Sequence, residues 1–91
     1  MSRMDMKLLN VGFGNYVSAE RIVTVASPDS EPIKRLVRDS KDYARVVDVS
    51  CGKRTRAVIV TDSEHVILSA LSPERLAMRL EGREPEENDE D

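Results

Sequence analysis

The sequence is poor in the residues that cross-link a fold or stack against bases. It has one cysteine, one histidine, no tryptophan and only three aromatic side chains among 91 residues. A single cysteine cannot form a disulfide within the chain, which is typical of a reducing compartment. No apolar run approaches the roughly 20 residues of a membrane span, and residues 1–7 contain no signal-peptide core. These absences predict a cytoplasmic protein without a membrane partner.

Motifs for catalysis and for cofactor binding are also lacking. Cys51 and His65 do not have the spacing of a nucleophile pair or a metal site. The turn at residues 12–15 has neither the lysine of a phosphate-binding loop nor the third glycine of a dinucleotide fingerprint. We therefore expect no enzyme, no metal, no cofactor and no small-molecule substrate. A proton relay from residues 62–64 to His65 and a reactive Cys51 thiol are the alternatives to an inert surface histidine and an inert thiol.

Charge is distributed unevenly along the chain. The formal net charge is -3, but residues 81–91 carry seven acids and one base, which leaves 10 acids and 13 bases in residues 1–80. A block of like charge repels itself and buries nothing. We therefore expect residues 81–91 to be a disordered acidic tail and residues 1–80 to form one mildly basic domain. A domain of this size with few aromatic residues has a thin core, which favours self-association.

The apolar pattern predicts a small α+β domain with an antiparallel β-meander in its second half. Strands are predicted at residues 7–11, 21–26, 46–50, 56–61 and 65–70, with a short extended piece at 16–17. The two glycines of residues 12–15 predict a turn with positive φ. Strands 46–50 and 56–61 are predicted to pair as a hairpin through the loop 51–55.

Two helices are predicted from their N-terminal signals. Ser30 is a suitable N-cap for one main amphipathic helix, which we expect to pack on a sheet. Ser72 and Pro73 begin a short C-terminal helix, with Leu76 and Leu80 facing inward. The apolar face of the main helix is predicted to contain Ile33, Leu36, Val37, Ser40 and Ala44.

Three cations lie within four residues at the predicted hairpin tip. Lys53, Arg54 and Arg56 follow Gly52, and such a cluster suits a curved phosphate backbone. An arginine guanidinium can donate two parallel hydrogen bonds to one phosphate, which a lysine ammonium cannot do. The alternative is a set of solvated charges that keeps a sheet edge soluble.

The main helix carries a second row of cations. At 100° per residue, Lys34, Arg38, Lys41 and Arg45 fall within about 60° of one another. They are candidate secondary phosphate contacts, and solubility alone is the alternative.

The aromatic residues Phe13, Tyr16 and Tyr43 do not alternate on one strand as base-stacking platforms do. The charge pattern therefore favours double-stranded DNA over single strands or RNA.

Several motifs taken together resemble a known family. LLNVGFGNYVSAERIVTVASPDSEPIKRLVRDS and CGKRTRAVIVTDSEHVILSALSPE are similar to the RemA family of small bacterial regulators of extracellular-matrix genes. The resemblance runs from about Lys7 to Leu80. It includes the glycine turn with Asn15, the Val-Ser-Ala that leads to Arg21, and the Arg-Thr-Arg-Ala-Val segment. It differs at Lys53, where the family often has arginine, and the acidic tail is not among its motifs.

The resemblance implies a DNA-binding transcription regulator, an activator of matrix or biofilm genes in some bacteria. It implies a LytTR-like fold and assembly into a closed ring, so that the partners are double-stranded DNA and further copies of the chain. Matching positions give Arg21, Lys53, Arg54 and Arg56 as DNA-contact candidates, and Pro32 as a structurally sensitive position. The alternatives are an oligomeric protein-interaction scaffold and an RNA-binding regulator.

Overall fold

Two β-sheets and two α-helices occupy residues 7–82, which are the part of the chain that the computed structural model describes. Apart from its first two residues, the predicted acidic tail lies outside this range. A 3₁₀ turn, Ala19–Arg21, precedes the third strand. In chain order the elements are β1 (Leu8–Gly12), β2 (Asn15–Ser18), β3 (Ile22–Ala26), α1 (Glu31–Lys41), β4 (Val46–Asp48), β5 (Ala57–Thr61), β6 (Val66–Ser69) and α2 (Pro73–Leu80).

The strand order corrects the predicted pairing. β1 and β2 form an antiparallel ribbon, and the larger sheet has the order β3-β5-β6-β4. β4 is parallel to β6, with Val46 opposite Val66, and β4 and β5 are not neighbours. The predicted hairpin is therefore wrong, and the meander is a mixed sheet. β6 is mostly buried and takes the centre beside β5, whereas the three-residue, largely exposed β4 is left at the edge.

One face of the larger sheet packs against the β1–β2 ribbon and α2. Leu9 and Val11 of β1, Ile59 of β5 and Leu76 of α2 are at most 1% exposed and belong to one core cluster. Ser72 begins α2 as predicted, and its side chain accepts a hydrogen bond from the Arg75 amide at 3.2 Å. Leu76 is 0% exposed and Leu80 is partly buried against the same cluster, so both residues face inward as predicted.

The second face of the sheet lies beneath α1. Because neighbouring strand residues point to opposite faces, Val58 and Val66 are buried on this side of the sheet. Ile33 and Val37 are half-buried, and Ser40 is buried. The helix ends at Lys41, so Ala44, which we expected on the helical face, lies in the following turn with φ 57° and is exposed.

Candidate nucleic-acid interface

The connection from β4 to β5 crosses the end of β6 and carries the cationic cluster. The Val49 amide donates to the Leu68 carbonyl at 3.0 Å, and the Arg56 amide donates to the Ser69 carbonyl at 2.8 Å. Between these anchors, Cys51 and Gly52 both have positive φ, 55° and 81°, which reverses the chain. The backbone therefore holds the loop as a ridge across one end of the sheet, although the loop is not a hairpin tip.

Asp48 fixes the start of this loop. Its carboxylate accepts hydrogen bonds from the Ser50 hydroxyl at 2.6 Å and from the Ser50 amide at 2.9 Å. The hydroxyl bond, then the amide bond, lowers the pKa of Asp48 below its ordinary value of 3.8, and Lys41 adds to the effect. Because the folded pKa is depressed, this stabilisation is present above about pH 4 and is lost only as acid protonates the carboxylate. The turn is therefore intact throughout the neutral range.

The three loop cations lie at the same end of the sheet. Arg54 and Arg56 are exposed and line a shallow concavity with the turn Ser27–Asp29. Lys53 Nζ lies 5.9 Å from the centre of the Phe13 ring, beside the glycine turn. Within residues 7–82, neither arginine forms an ion pair within 4.0 Å. Both guanidinium groups thus face solvent with no carboxylate of the described chain bound to them.

Part of the helical row continues this surface. Lys34, Arg38 and Lys41 line a groove together with Pro28 and Thr55. Pro28 and Thr55 also line the concavity of Arg54 and Arg56, so the two depressions adjoin. We call the combined set the basic surface. It consists of Lys34, Arg38, Lys41, Lys53, Arg54 and Arg56.

Arg45 does not belong to the row, contrary to the helical-wheel prediction. It follows the end of α1, so the 100° spacing no longer applies to it. Its guanidinium forms an ion pair with Glu64 and lies 5.9 Å from the centre of the Tyr43 ring. Arg45 lines the groove on the other side of α1.

Arg21 lies at the opposite end of the sheet from the loop. It ends the 3₁₀ turn before β3, and its Nε is 2.9 Å from Asp62 Oδ1, just beyond the end of β5. The five residues of β5 separate the two ends by roughly 16 Å. Within one chain, the structure does not bring Arg21 together with Lys53, Arg54 and Arg56.

The turn from β5 to β6 contains the polar contacts around His65. Ser63 Oγ lies 2.8 Å from His65 Nδ1 and 3.0 Å from Thr61 Oγ1, in an exposed turn. Among residues 7–82, no group of three or more histidine, cysteine, aspartate or glutamate side chains is placed to hold a metal ion. Over the same range, no helix is long and apolar enough to cross a membrane.

Sequence reasoning missed the buried Arg79 of α2 and the Asp48–Ser50 turn that begins the loop. Arg79 on α2 is 2% exposed and donates from Nη1 to the Asn10 carbonyl at 3.1 Å, which ties α2 to β1. A helical arginine is normally exposed, and nothing in its local sequence indicates burial. The Asp48–Ser50 turn did leave a signal, because an aspartate side chain at the end of a strand often accepts a hydrogen bond from the backbone amide two residues later.

Comparison with known proteins assigns the sequence to a family. The model for the RemA-like family, described as extracellular matrix regulatory protein A-like, matches residues 8–80. The chain belongs to the RemA-like family. It is 57% identical over 82 residues to a protein of Moorella thermoacetica, covering 90% of each chain. It is 57% identical over 79 residues to a protein of Geobacillus thermodenitrificans, covering 87% of this chain and 91% of the relative. Both relatives carry a provisional name as regulatory proteins.

Proposed function

We propose that this RemA-like chain is a regulator of transcription that binds duplex DNA through its basic surface. The observation that carries the proposal is the difference between the two ends of the sheet. Arg21 and Arg45 are held by Asp62 and Glu64, whereas Arg54 and Arg56 have no carboxylate partner in the described chain. Exposed guanidinium groups on a fixed backbone can bind phosphate oxygens without first breaking an ion pair.

The composition of the surface favours duplex DNA over single strands. Proteins that bind single strands stack bases on aromatic side chains. At the loop, Phe13 lies beside Lys53. One aromatic ring does not provide the row of stacking surfaces that a single strand needs. Charge and shape therefore supply the affinity, and DNA deformability supplies much of the sequence preference.

Affinity at cellular salt requires several copies of the chain. One copy offers only a few phosphate contacts, each of which is weakened by salt. A ring-like homo-oligomer repeats the basic surface, so that contacts on one curved duplex reinforce each other through effective concentration. Arg21 lies at the opposite end of the sheet, so in this proposal it reaches the same duplex only in the assembly, by exchanging Asp62 for a phosphate. An exposed ion pair contributes less than about 1 kcal/mol, so the exchange costs little.

The same proposal includes the finer features implied by the family. The fold is related to LytTR-type DNA-binding domains, and the protein acts in the cytoplasm on matrix or biofilm genes. The description of the family concerns regulation of the extracellular matrix. Sequencing the chromosomal DNA that is recovered with the protein would identify its target genes.

Salt dependence tests DNA binding directly. We expect two unrelated duplexes of equal length to bind with similar affinity by fluorescence anisotropy. Between about 50 and 200 mM salt, the log–log slope should be about 0.9 for each neutralised phosphate. Light scattering in the same buffer should give a mass several times the 10.2 kDa of one chain. Absence of binding to any DNA at low salt would favour the scaffold, and tighter binding to structured RNA would favour an RNA regulator.

A further inference from the structure

Residues 83–91, six of which are acids, have no role in the interface described above. We propose that this segment binds the basic surface and competes there with DNA, so that the chain carries its own electrostatic inhibitor. The competition with DNA rests on the proposed function, whereas docking of the segment on the surface does not. We call residues 83–91 the acidic segment.

The acidic segment matches a DNA strand in its density of charge. Six of its last eight residues are acids. At about 3.3 Å of chain per residue, this is one negative charge per roughly 4 Å of contour. One strand of B-DNA carries one charge per about 3.4 Å of helix axis. Cations that are arranged to bind phosphates will therefore also bind these carboxylates.

The described chain places the start of the segment within reach of the basic surface. A Cβ at Gly12 would lie 3.6 Å from Leu71 Cγ, so the start of α2 is beside the glycine turn that Lys53 contacts through Phe13. The eight residues of α2 then run back by about 12 Å to Leu80, whose carbonyl accepts from Lys7 Nζ. A nine-residue segment spans at most about 30 Å. It can therefore return to the loop end of its own copy, or reach an adjacent copy in an assembly.

Tethering makes a weak attraction effective. A short linker gives a local concentration in the millimolar range, and the attraction is screened beyond about 10 Å at 0.1 M salt. The acidic segment should therefore weaken DNA binding at low salt and have little effect at high salt. A segment that only promotes solubility would change aggregation and leave the basic surface open.

Neutralising the acidic segment tests its effect on DNA. The full-length variant replaces all six acids with their amides, as in Glu84→Gln and Asp89→Asn, and the matched control exchanges Glu for Asp and Asp for Glu at the same positions. We expect the amide variant to bind duplex DNA about 3- to 10-fold more tightly at about 50 mM salt, and the control to behave as the native chain. Equal affinities for all three proteins would overturn the competition.

A second measurement tests docking without DNA, by using Cys51 as a reporter. This thiol is exposed, is the chain's one cysteine and lies two residues before Lys53. If the acidic segment covers the loop, the amide variant should react several-fold faster with a dianionic aromatic disulfide, and the gain should be smaller with a neutral disulfide. The gain should become much smaller when Arg54→Ala and Arg56→Ala are also present, because the docking site then loses both arginines of the loop.

The double-mutant cycle separates docking from a general change in net charge. A general field effect would give the same gain in both backgrounds, and that additive result would overturn the proposal. If no variant binds DNA but the cycle is non-additive, docking stands and the proposed function fails. If DNA binds and the cycle is additive, the proposed function stands and docking fails.

Discussion

Replacing Arg54 and Arg56 together with alanine should lower the affinity for unrelated duplexes by at least about a hundredfold at about 0.1 M salt. Each charge-assisted hydrogen bond to phosphate contributes on the order of 1.5 kcal/mol, and repetition across copies multiplies the loss. The two lost phosphate contacts should also reduce the log–log salt slope by about 1.8 for each copy that contacts the duplex. Anisotropy over a salt series measures both quantities.

Two controls identify the cause of that loss. Arg54→Lys with Arg56→Lys keeps both charges and removes only the bidentate fork, so the slope should be retained while the affinity falls slightly. Arg35→Ala removes an exposed charge of α1 that does not line the basic surface, so it should have little effect. Light scattering should show the same assembly for every variant. Unchanged DNA binding by the double alanine variant would eliminate the loop as the interface.

Local features of the fold could be predicted because their signals lie within a few residues. The glycine turn has φ of 108° at Gly12 and 79° at Gly14, which only a residue without a Cβ adopts readily. Asn15 completes that turn by donating from Nδ2 to the Gly12 carbonyl at 3.0 Å. Ser72 and Pro73 likewise begin α2 through contacts made within one helical turn.

The strand order could not be predicted in the same way. Residues 46–48 and 57–61 look like the two arms of a hairpin because they are consecutive and apolar. Their separation depends on β6, which has more apolar side chains to bury on both faces and therefore displaces β4 to the edge. That competition between strands is decided by tertiary packing, and no short-range pattern reports it.

The residues of the candidate interface likewise differ in how far the sequence could predict their arrangement. Lys53, Arg54 and Arg56 could be grouped from sequence because they share one loop. Their continuity with the cations of α1 depends on Thr55 and Pro28, which come together only in the folded chain. The carboxylate that holds Arg21 comes from Asp62, 41 residues away. Sequence could list the cations, but only the fold shows which of them are already paired.

Leu76→Ala should be the most destabilising single change among those considered. Leu76 is 0% exposed and lies in the core cluster with Leu9 and Val11, against which α2 packs. Truncating a buried leucine removes transfer free energy and leaves a cavity, at a cost of about 3 kcal/mol. For a domain of this size, that cost lowers the melting temperature by about 15 °C. Thermal unfolding followed by circular dichroism at one fixed protein concentration measures it, because assembly makes stability concentration-dependent.

Met78→Ala is the matched control on the same helix. Met78 is 38% exposed, so its truncation leaves no enclosed cavity and should cost less than about 1 kcal/mol. Both variants keep Arg79 and its bond to the Asn10 carbonyl, so the difference between them isolates the apolar packing of α2. Melting temperatures within a few degrees of each other would contradict the packing of Leu76 in the core. A large loss for Leu76→Ala alone would mean that burial of the Leu76 side chain in the core, rather than the helix propensity of α2, holds β1 and its glycine turn beside the cationic loop.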